Sequence, residues 1–550
     1  MNRLVKFPGL IPPIRPGRGP LRPFARTAFI TAAAPNPRPI DDFYKRGYSD
    51  EMRRLAPVLL LLACGPDSAL PADGSTSDIP GSSSAPAPTS TGDSPATSAA
   101  STTATTSIDD DPSTTQGPPA TTSTTTGAPT LCGPACDELH NLTGNLEIGP
   151  GTDPQTLACV RSIDGELEIL ALTDGDILEN LGNLAVVTGG VTIHDNPGLT
   201  DLPGLGCLRS VGPLHIQANA ALTDLDGLAG LRDVSSLRIE DNHALSSLAG
   251  LADLRHVGDI YLDGLPALGE LPAWTFDPGN ALGSLTFIDL PLLTDLDVFA
   301  GMTTSKNGVF YFTAAGCPAL TSVAAVGDLL RSGLPVEVFL HDLPALTDLA
   351  GLDGVAEFYE LDLESLPQIA SLDELAGTPA IDTLYVSSLP QLADLHGLED
   401  VAQLGVIGLR NLPLLTDMSA LSDVTDLGVL DLDRLPALPD LSDLASLQTI
   451  SLRLSLGSCD DSPDAGLDQL VDLTGLGDLE VVGDFLIANN DDFVGFTGAP
   501  KLATVGELQA VHNPSLAPGT LDAWAATLDP GPILCESQDF DTCSCFFISD

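Results

Sequence analysis

Leucines and other apolar residues recur along most of this chain with a period of 23 residues. The motif Leu-Pro-x-Leu/Ile begins at five positions that share this spacing: Leu343, Leu366, Leu389, Leu412 and Leu435. Asn196, Asn219 and Asn242 keep the same interval earlier in the chain. A unit this short cannot bury its apolar face alone, so consecutive units must stack around one core. The pattern predicts a leucine-rich solenoid over residues 161–530.

Each unit also contains a short segment in which apolar and polar positions alternate. Leu214 and Ile216 flank one polar residue, and so do Leu237 and Ile239. This period of two is typical of a half-buried strand. Further along each unit, apolar residues come at every third position, which favours a short tight helical or extended return over a full α-helix. We therefore expect a mainly β fold, a parallel β-solenoid.

The outward positions of these strands carry several aromatic and charged residues. Exposed aromatic side chains among His and Arg are typical of a recognition surface. Strands favour Tyr and Phe in any case, so an ordinary sheet surface is the alternative. The candidate ligand-binding face consists of His215, Arg238, Tyr261, Tyr311, Phe339, Asp362 and Tyr385.

The segments 211–222 and 481–490, with their Asn-x-x-Leu spacing, resemble the receptor L domain, a leucine-rich-repeat-like β-solenoid. Ordinary leucine-rich repeats have Asn-x-Leu instead. The resemblance covers about residues 139–516 and implies a ligand-binding module. Two insertions stretch the period, one from Trp274 to about residue 335 and one from Cys459 to Leu470.

An apolar run from Leu55 to Ala63 follows Arg53-Arg54 and ends at Cys64. It is too short to cross a bilayer and is typical of a signal peptide, which we place at residues 52–64. Leu61-Leu62-Ala63-Cys64 resembles a bacterial lipobox, which implies that Cys64 is lipidated. Residues 1–51 are either a disordered basic extension or upstream sequence that is not translated natively. Residues 65–130 are rich in Ser, Thr and Pro and predict a disordered linker.

The chain is strongly acidic. Its formal charge is −53, and residues 1–54 hold 11 of the 22 Lys and Arg but only four of the 75 acids. The remainder therefore carries a charge near −60 and should repel phosphate backbones, so we expect no nucleic-acid partner.

Ten cysteines in an exported chain indicate disulfides. We assign Cys132, Cys136 and Cys159 to an N-terminal cap (131–160), and Cys535, Cys543 and Cys545 to a C-terminal cap (531–550). The expected pairs are Cys136 with Cys159, and Cys535 with Cys543 or Cys545. Zinc binding at Cys543 and Cys545 is the alternative. Cys159 and Cys207 share a register two units apart, about 9.6 Å, which is too far for a disulfide. Cys207 and Cys317 are interpreted as buried small hydrophobic residues, and Cys459 stays unassigned.

A column of aspartates occupies one turn position of the repeat. Local capping of each turn by its own Asp is the favoured interpretation, and calcium binding is the alternative. A separate calcium candidate is the loop with Asp460, Asp461 and Asp464. The column comprises Asp201, Asp224, Asp295, Asp348, Asp394, Asp417 and Asp440.

No catalytic motif is present: the chain has no His-Glu-x-x-His, no Gly-x-Ser-x-Gly and no phosphate-binding glycine loop with Lys. We therefore expect no enzyme and no cofactor other than calcium. The leading hypothesis is a lipid-anchored protein of the bacterial cell envelope, at the outer membrane or cell surface. It would bind an extracellular or envelope protein or glycan through its strand face, and would contact the membrane through the lipid anchor only. A structural envelope spacer without a specific ligand is the alternative.

Overall fold

A computed structural model describes residues 133, 136–459, 466–529 and 532–537, the last five of these by their backbone only. All belong to one of the two compact units of the chain, Pro86–Asp550. The predicted segments 1–51, 52–64 and 65–130 lie outside the described residues. So do the candidate residues Cys64, Cys132, Asp460, Asp461, Asp464, Cys543, Cys545 and the side chain of Cys535.

The described part of the chain contains 21 strands and two short α-helices, which we number in chain order. The helices are α1 (Gly327–Leu330) and α2 (Thr520–Ala525). The strands are β1 (His140–Thr143), β2 (Leu146–Ile148), β3 (Val160–Asp164), β4 (Leu167–Leu170), β5 (Val186–Val187), β6 (Val191–His194), β7 (Ser210–Gln217), β8 (Asp233–Glu240), β9 (His256–Val257), β10 (Asp259–Asp263), β11 (Ser284–Ile288), β12 (Phe310–Ala315), β13 (Val336–His341), β14 (Phe358–Glu364), β15 (Ala380–Ser387), β16 (Gln403–Arg410), β17 (Asp426–Asp433), β18 (Thr449–Leu456), β19 (Val481–Ala488), β20 (Thr504–Val511) and β21 (Ile533–Ser537).

Successive rungs pair in parallel, which confirms the predicted β-solenoid. Leu214 pairs with Leu237, and Leu361 with Leu384, each 23 residues further along. The spacing widens at the two predicted insertions, where Leu285 pairs with Phe312 and Leu454 with Phe485. Strands β1 and β2 already lie within residues 131–160, so the solenoid begins inside the segment that the sequence assigned to a cap.

One hydrophobic core runs through the described rungs, from Ile148 to Leu528. From β3 to β20 the inward residues of the strands are buried, as the alternating pattern predicted. Aromatic residues fill the core at the first insertion: Phe299 packs against Phe287 and Trp274 at centroid distances of 5.9 Å. The insertion therefore widens the interior without interrupting it.

The return limbs contain short 3₁₀ helices, in agreement with the apolar spacing of three. In the described residues they span Pro154–Thr156, Asp176–Leu181, Asp226–Leu228, Ala249–Leu251, Asp297–Phe299, Ala324–Val326, Asp373–Leu375, Ser419–Leu421 and Ser442–Leu444. The aspartate column lies just before several of them. Asp417 Oδ1 accepts a hydrogen bond from the Ser419 backbone N–H at 2.8 Å, and Asp440 does the same for Ser442. Asp224, Asp295, Asp348 and Asp394 make the equivalent bond. Local capping is therefore the geometry of six of the seven residues.

The turn that follows each strand has two versions. In the first, a residue with positive φ precedes a buried Asn: Asn219 Nδ2 donates to the carbonyls of Ile193 and Gln217, and Asn196 Nδ2 donates to Asn219 Oδ1 at 2.9 Å. In the second, a buried Leu such as Leu366 replaces the Asn, and a proline follows it. The prolines border a shallow open groove beside the strands, lined by Gly316, Pro318, Asp342, Pro344, Ser365, Pro367, Ser388 and Pro390.

Disulfides fix the N-terminal rungs. Cys136 and Cys159 are bonded, with Cα atoms 5.8 Å apart, as the sequence predicted. Cys317 is a buried free thiol. The interpretation of Cys207 was wrong, because Cys207 is disulfide-bonded, and Cys459 is too. Both residues are small and nearly buried, and burial alone does not distinguish a bridged cysteine from a free one.

Candidate ligand-binding face

The outward residues of the strands form three parallel columns, which we call the strand face. The middle column runs through Arg238, Tyr261, Phe339 and Tyr385. The other two columns lie two residues before and two residues after it on each strand, because side chains alternate along a strand. Neighbouring residues of one column are therefore 23 or more positions apart in the sequence, but the strands that carry them are only about 4.8 Å apart.

In the N-terminal part of the strand face, the charged side chains neutralise one another. Arg238 contacts Glu240 and lies 4.2 Å from the centroid of the Tyr261 ring. The Tyr261 hydroxyl donates to Asp263 at 3.0 Å. His215 Nε2 lies 3.0 Å from Glu240, yet burial, followed by the neighbouring Arg238 charge, lowers the pKa of His215 to about 4. We therefore regard the imidazole as neutral, with its Nε2–H donated to Glu240.

The central part of the strand face carries acids without cationic partners. Glu337 and Glu360 are direct neighbours across β13 and β14, and both are half-buried. Within the described residues, neither has an ion pair or a side-chain hydrogen bond. Burial, then the charges of Asp362 and Glu337, raises the pKa of Glu360 to about 7. Burial also raises the pKa of Glu337. Such perturbed carboxyl groups at a surface mark a candidate functional site.

Asp362 lies between these acids and His341. His341 Nε2 is 3.1 Å from Asp362 Oδ2, and the two side chains are 12% and 14% exposed. Burial alone would lower the pKa of His341, but its ion pair with Asp362 outweighs burial, so the pKa is raised. Burial similarly raises the pKa of Glu364 on the same strand as Asp362. One histidine therefore faces several carboxyl groups.

Aromatic rings border this acidic centre. Phe339 is the direct neighbour of Asp362, and Tyr385 is the neighbour on the other side. Next to Tyr385 stands Gly408, where an added Cβ would lie 2.7 Å from Tyr385 Cδ1. The Tyr385 ring therefore lies over Gly408, and the absence of a side chain there gives it room.

Beyond Tyr385, two acids of the strand face are paired with arginines. Arg453 donates two hydrogen bonds to Asp431, from Nε to Oδ1 at 3.2 Å and from Nη2 to Oδ2 at 2.6 Å. Arg410 Nε lies 3.2 Å from Asp433. Unpaired acids recur on β19 and β20, where Asp484 and Glu507 are direct neighbours in the column of Glu337 and Glu360, and burial raises the pKa of both. What distinguishes β13 and β14 is that aromatic rings border their acids.

The structure places all seven predicted face residues on the strand face but not in one group. Phe339, Asp362 and Tyr385 are consecutive in the middle column, and Tyr311 lies one column away, next to Glu337. His215, Arg238 and Tyr261 form the separate N-terminal group. The sequence reasoning missed the other site residues, Glu337, Glu360 and Gly408. Glu337 and Glu360 could have been found by extending the alternation two residues earlier on each strand.

In the part of the chain that the structure describes, no cluster of three or more His, Cys, Asp or Glu side chains could hold a metal ion. The same residues contain no helix long and apolar enough to cross a membrane.

No protein-family model matches this chain, and no curated protein matches it. Among solved structures, a chain from the TLR13–ssRNA13 complex is similar to it. The likeness covers 66% of this chain and 69% of the other, with 14% sequence identity and a TM-score of 0.29. These values are too low to support an inference, so the assignment as a leucine-rich β-solenoid depends on the strand pairing and the core described above.

Proposed function

We propose that this chain is a cell-surface binding protein that recognises a protein or glycan through its strand face, with Glu337, Phe339, Glu360, Asp362 and Tyr385 at the centre. One observation carries the proposal: neighbouring half-buried carboxyl groups lack cationic partners among the described residues, and aromatic rings border them. Leaving acids in this state costs stability, and a ligand that supplies positive charge removes the cost.

The chemistry of this centre favours a protein ligand with a basic, partly apolar segment. A Lys or Arg side chain would neutralise Glu337 and Glu360, and its aliphatic part would pack on Phe339 and Tyr385. A glycan would instead use the rings as stacking surfaces. The acidity of the chain disfavours nucleic acid as a partner.

The proposed location is the bacterial cell envelope, with Cys64 as the lipid anchor. The Ser-, Thr- and Pro-rich composition of residues 65–130 is that of a linker between such an anchor and the folded domain. Labelling of Cys64 by a fatty-acid analogue, compared with Cys64→Ser, tests this part of the proposal independently of ligand binding.

The binding test begins with crosslinking on intact cells and identification of the partners that the full-length protein captures. Binding of a captured partner is then compared between the native protein and a Phe339→Ala/Tyr385→Ala variant. Because buried aromatic residues dominate interface energies, we expect at least about 30-fold weaker binding. A matched control is Leu292→Ala/Leu414→Ala, which also removes two partly exposed apolar side chains, but from the turns beside the strand face.

A structural envelope spacer is the second candidate. It is favoured by the ion pairs that compensate the charges of β7, β8, β17 and β18, which leave most of the strand face without an unusual surface. Under this alternative, crosslinking would capture no specific partner, and the Phe339→Ala/Tyr385→Ala variant would behave like the control.

Calcium binding and the absence of enzymatic activity also remain proposals. Asp460, Asp461 and Asp464 are the calcium candidates, and addition of calcium should raise the melting temperature if they bind it. A melt that is unchanged by calcium and by chelator would remove calcium from the proposal. A substrate panel tested on the purified protein would address catalysis.

A further inference from the structure

One exposed aromatic residue lies next to the acidic centre without belonging to the three columns of the strand face. Tyr359 directly precedes Glu360 on β14 and is 41% exposed. Most of the other described rungs have glycine at this position, because an added Cβ would come too close to the previous rung. For Gly405 and Gly483, that Cβ would lie 2.6 and 2.3 Å from a carbonyl oxygen. The fold therefore does not require a large side chain here.

The neighbouring strand is one residue shorter, and this makes room for Tyr359. Val336 on β13 pairs with Phe358. The next residue, Glu337, already pairs with Glu360, so Tyr359 has no counterpart on β13. The residue whose carbonyl would crowd the Tyr359 Cβ is therefore missing. Bulges of this kind re-aim side chains and are frequent beside functional sites.

Aromatic residues thus border the carboxyl pair of Glu337 and Glu360 on three sides. Tyr311 is the neighbour of Glu337 on β12, and Phe339 follows Glu337 by two residues on the same side of β13. Tyr359 lies on the third side. We call Tyr311, Phe339 and Tyr359 the aromatic frame. Because strands are about 4.8 Å apart and alternate residues about 6.6 Å apart, one ligand side chain can contact both carboxyl groups and a ring.

The second acid pair of the strand face lacks such a frame. Asp484 and Glu507 are direct neighbours in the same column, and burial raises the pKa of both. A glycine precedes each of them, and the middle column beside them holds Leu486 and Gln509. A pair of acids with raised pKa values therefore does not single out the central rungs, whereas the aromatic frame does.

The N-terminal part of the strand face shows which cation suits a carboxyl group beside a ring. There, Arg238 contacts Glu240 and lies 4.2 Å from the centroid of the Tyr261 ring. A guanidinium group can do both at once, because its N–H groups donate within its plane while its faces stack on rings. The lysine ammonium group has no planar face and is more strongly hydrated. The central rungs offer the same two kinds of group, but the arginine has to come from outside the described residues.

We propose that a protein partner supplies an arginine side chain, which donates hydrogen bonds to Glu337 and Glu360 and stacks on the aromatic frame. Tyr359 is a specificity-determining residue of this site, because its ring favours a planar cation over an ammonium group. The inference rests on the proposed function and names the residue type that the partner contributes to it.

The direct test titrates the full-length protein, labelled with fluorotyrosine, with the N-acetyl methylamides of arginine and lysine as probes. Fluorine NMR follows the Tyr359 resonance, which the variant Tyr359→Phe assigns. We expect the arginine probe to shift this resonance with at least about 5-fold higher affinity than the lysine probe. Glu337→Gln/Glu360→Gln should abolish the shift, and the matched control Asp484→Asn/Glu507→Gln should preserve it. An unmoved Tyr359 resonance, equal affinities for the two probes, or a shift that survives Glu337→Gln/Glu360→Gln would overturn the proposal.

Binding of the partner captured by crosslinking separates this inference from the proposed function. Tyr359→Ala should bind it at least about 5-fold more weakly. Leu452→Ala is the matched control, because Leu452 is 62% exposed and precedes the same column on β18; circular dichroism establishes that both variants fold. Native binding by Tyr359→Ala with weak binding by Phe339→Ala/Tyr385→Ala would contradict the inference and leave the proposed function standing. Native binding by both would contradict the proposed function.

Discussion

The N-terminal and central parts of the strand face have the same backbone and the same interior but opposite surface electrostatics. In β7 and β8, His215, Arg238 and Glu240 form contacts with one another. In β13 and β14, Glu337 and Glu360 lie side by side, and neither forms an ion pair among the described residues. The inward leucines fix the fold in both regions, so the outward positions vary without disturbing it. The difference in surface charge between the two regions is therefore not required by the fold, and we attribute it to function.

The turns differ between the same two regions. After β7, the buried amide of Asn219 connects three rungs by hydrogen bonds. After β14, Leu366 fills the equivalent place with a hydrocarbon side chain, and Pro367 follows it. The Asn and the Leu close the same turn. In both cases the residue before it, Ala218 or Ser365, has a positive φ in the left-handed region.

The largest expected effect follows from breaking the asparagine turn. Asn219→Leu keeps the side-chain size but removes the acceptor of the buried Asn196 backbone N–H, and it removes the hydrogen bonds that Asn219 Nδ2 donates to the carbonyls of Ile193 and Gln217. An unsatisfied buried N–H costs about 1–3 kcal/mol and each lost hydrogen bond about 0.5–1.5 kcal/mol, so we expect a loss of roughly 4 kcal/mol in the free energy of unfolding. Urea denaturation followed by circular dichroism measures it.

The matched control is Leu366→Met in the leucine turn, where a change of shape at similar volume should cost under about 1.5 kcal/mol. If Asn219→Leu were as mild as this control, the hydrogen-bonded column would not be what stabilises the N-terminal turns.

A smaller effect concerns the placement of Tyr385. Gly408→Ala puts a methyl group 2.7 Å from Tyr385 Cδ1, so the ring must move from its position beside Asp362. We expect the captured partner to bind about 10-fold more weakly, which corresponds to a loss of roughly 1.4 kcal/mol in the free energy of binding. Gly477→Ala is the control because nothing lies within 4 Å of its added Cβ. Unchanged binding by the Gly408 variant would remove Tyr385 from the centre.

At pH 8, removing an acid should change the free energy of unfolding in opposite directions in the two regions. Because the pKa of Glu360 is raised to about 7 from 4.5, its folded state favours the protonated form. The destabilisation is absent below pH 4.5, develops between pH 4.5 and 7, and is complete above pH 7. Glu360→Gln should therefore stabilise the protein by about 1 kcal/mol at pH 8, after allowance for solvent screening, and not at pH 4.

Glu240→Gln in the N-terminal region should act in the opposite direction at pH 8, because it removes the partner of Arg238 and His215. Thermal melts of both variants at pH 4 and pH 8 provide the comparison. Shifts of the same sign at pH 8 would mean that the two regions do not differ in charge compensation.

The smallest expected effect is on two tyrosine hydroxyl groups. Tyr261→Phe removes the hydrogen bond to Asp263 and should cost about 0.5–1 kcal/mol. Tyr385→Phe should leave the free energy of unfolding unchanged, because its hydroxyl has no hydrogen bond among the described residues, and should affect only ligand binding. A loss of stability in Tyr385→Phe would show that this hydroxyl has a structural role.

Much of the fold could be predicted from the sequence, because a repeat of constant length and an alternating strand pattern leave few arrangements of the chain. The positions of Leu214, Ile216 and Leu237 predicted parallel rungs around a continuous interior, and the clustering of cysteines at the N-terminal end predicted the Cys136–Cys159 bond. The bonded state of Cys207 could not be predicted in this way, since a bridged cysteine and a buried free one occupy similar positions in the pattern.

By itself, the sequence determined the solenoid, its period and the residues that line the interior, because each of these is a local regularity repeated along the chain. Only the tertiary structure decided which surface charges are compensated. Glu240 and Glu360 are both acids on outward strand positions, but one has His215 and Arg238 beside it and the other has Glu337 and Asp362. That difference is set by neighbours on adjacent rungs, and the insertions shift which residues become neighbours.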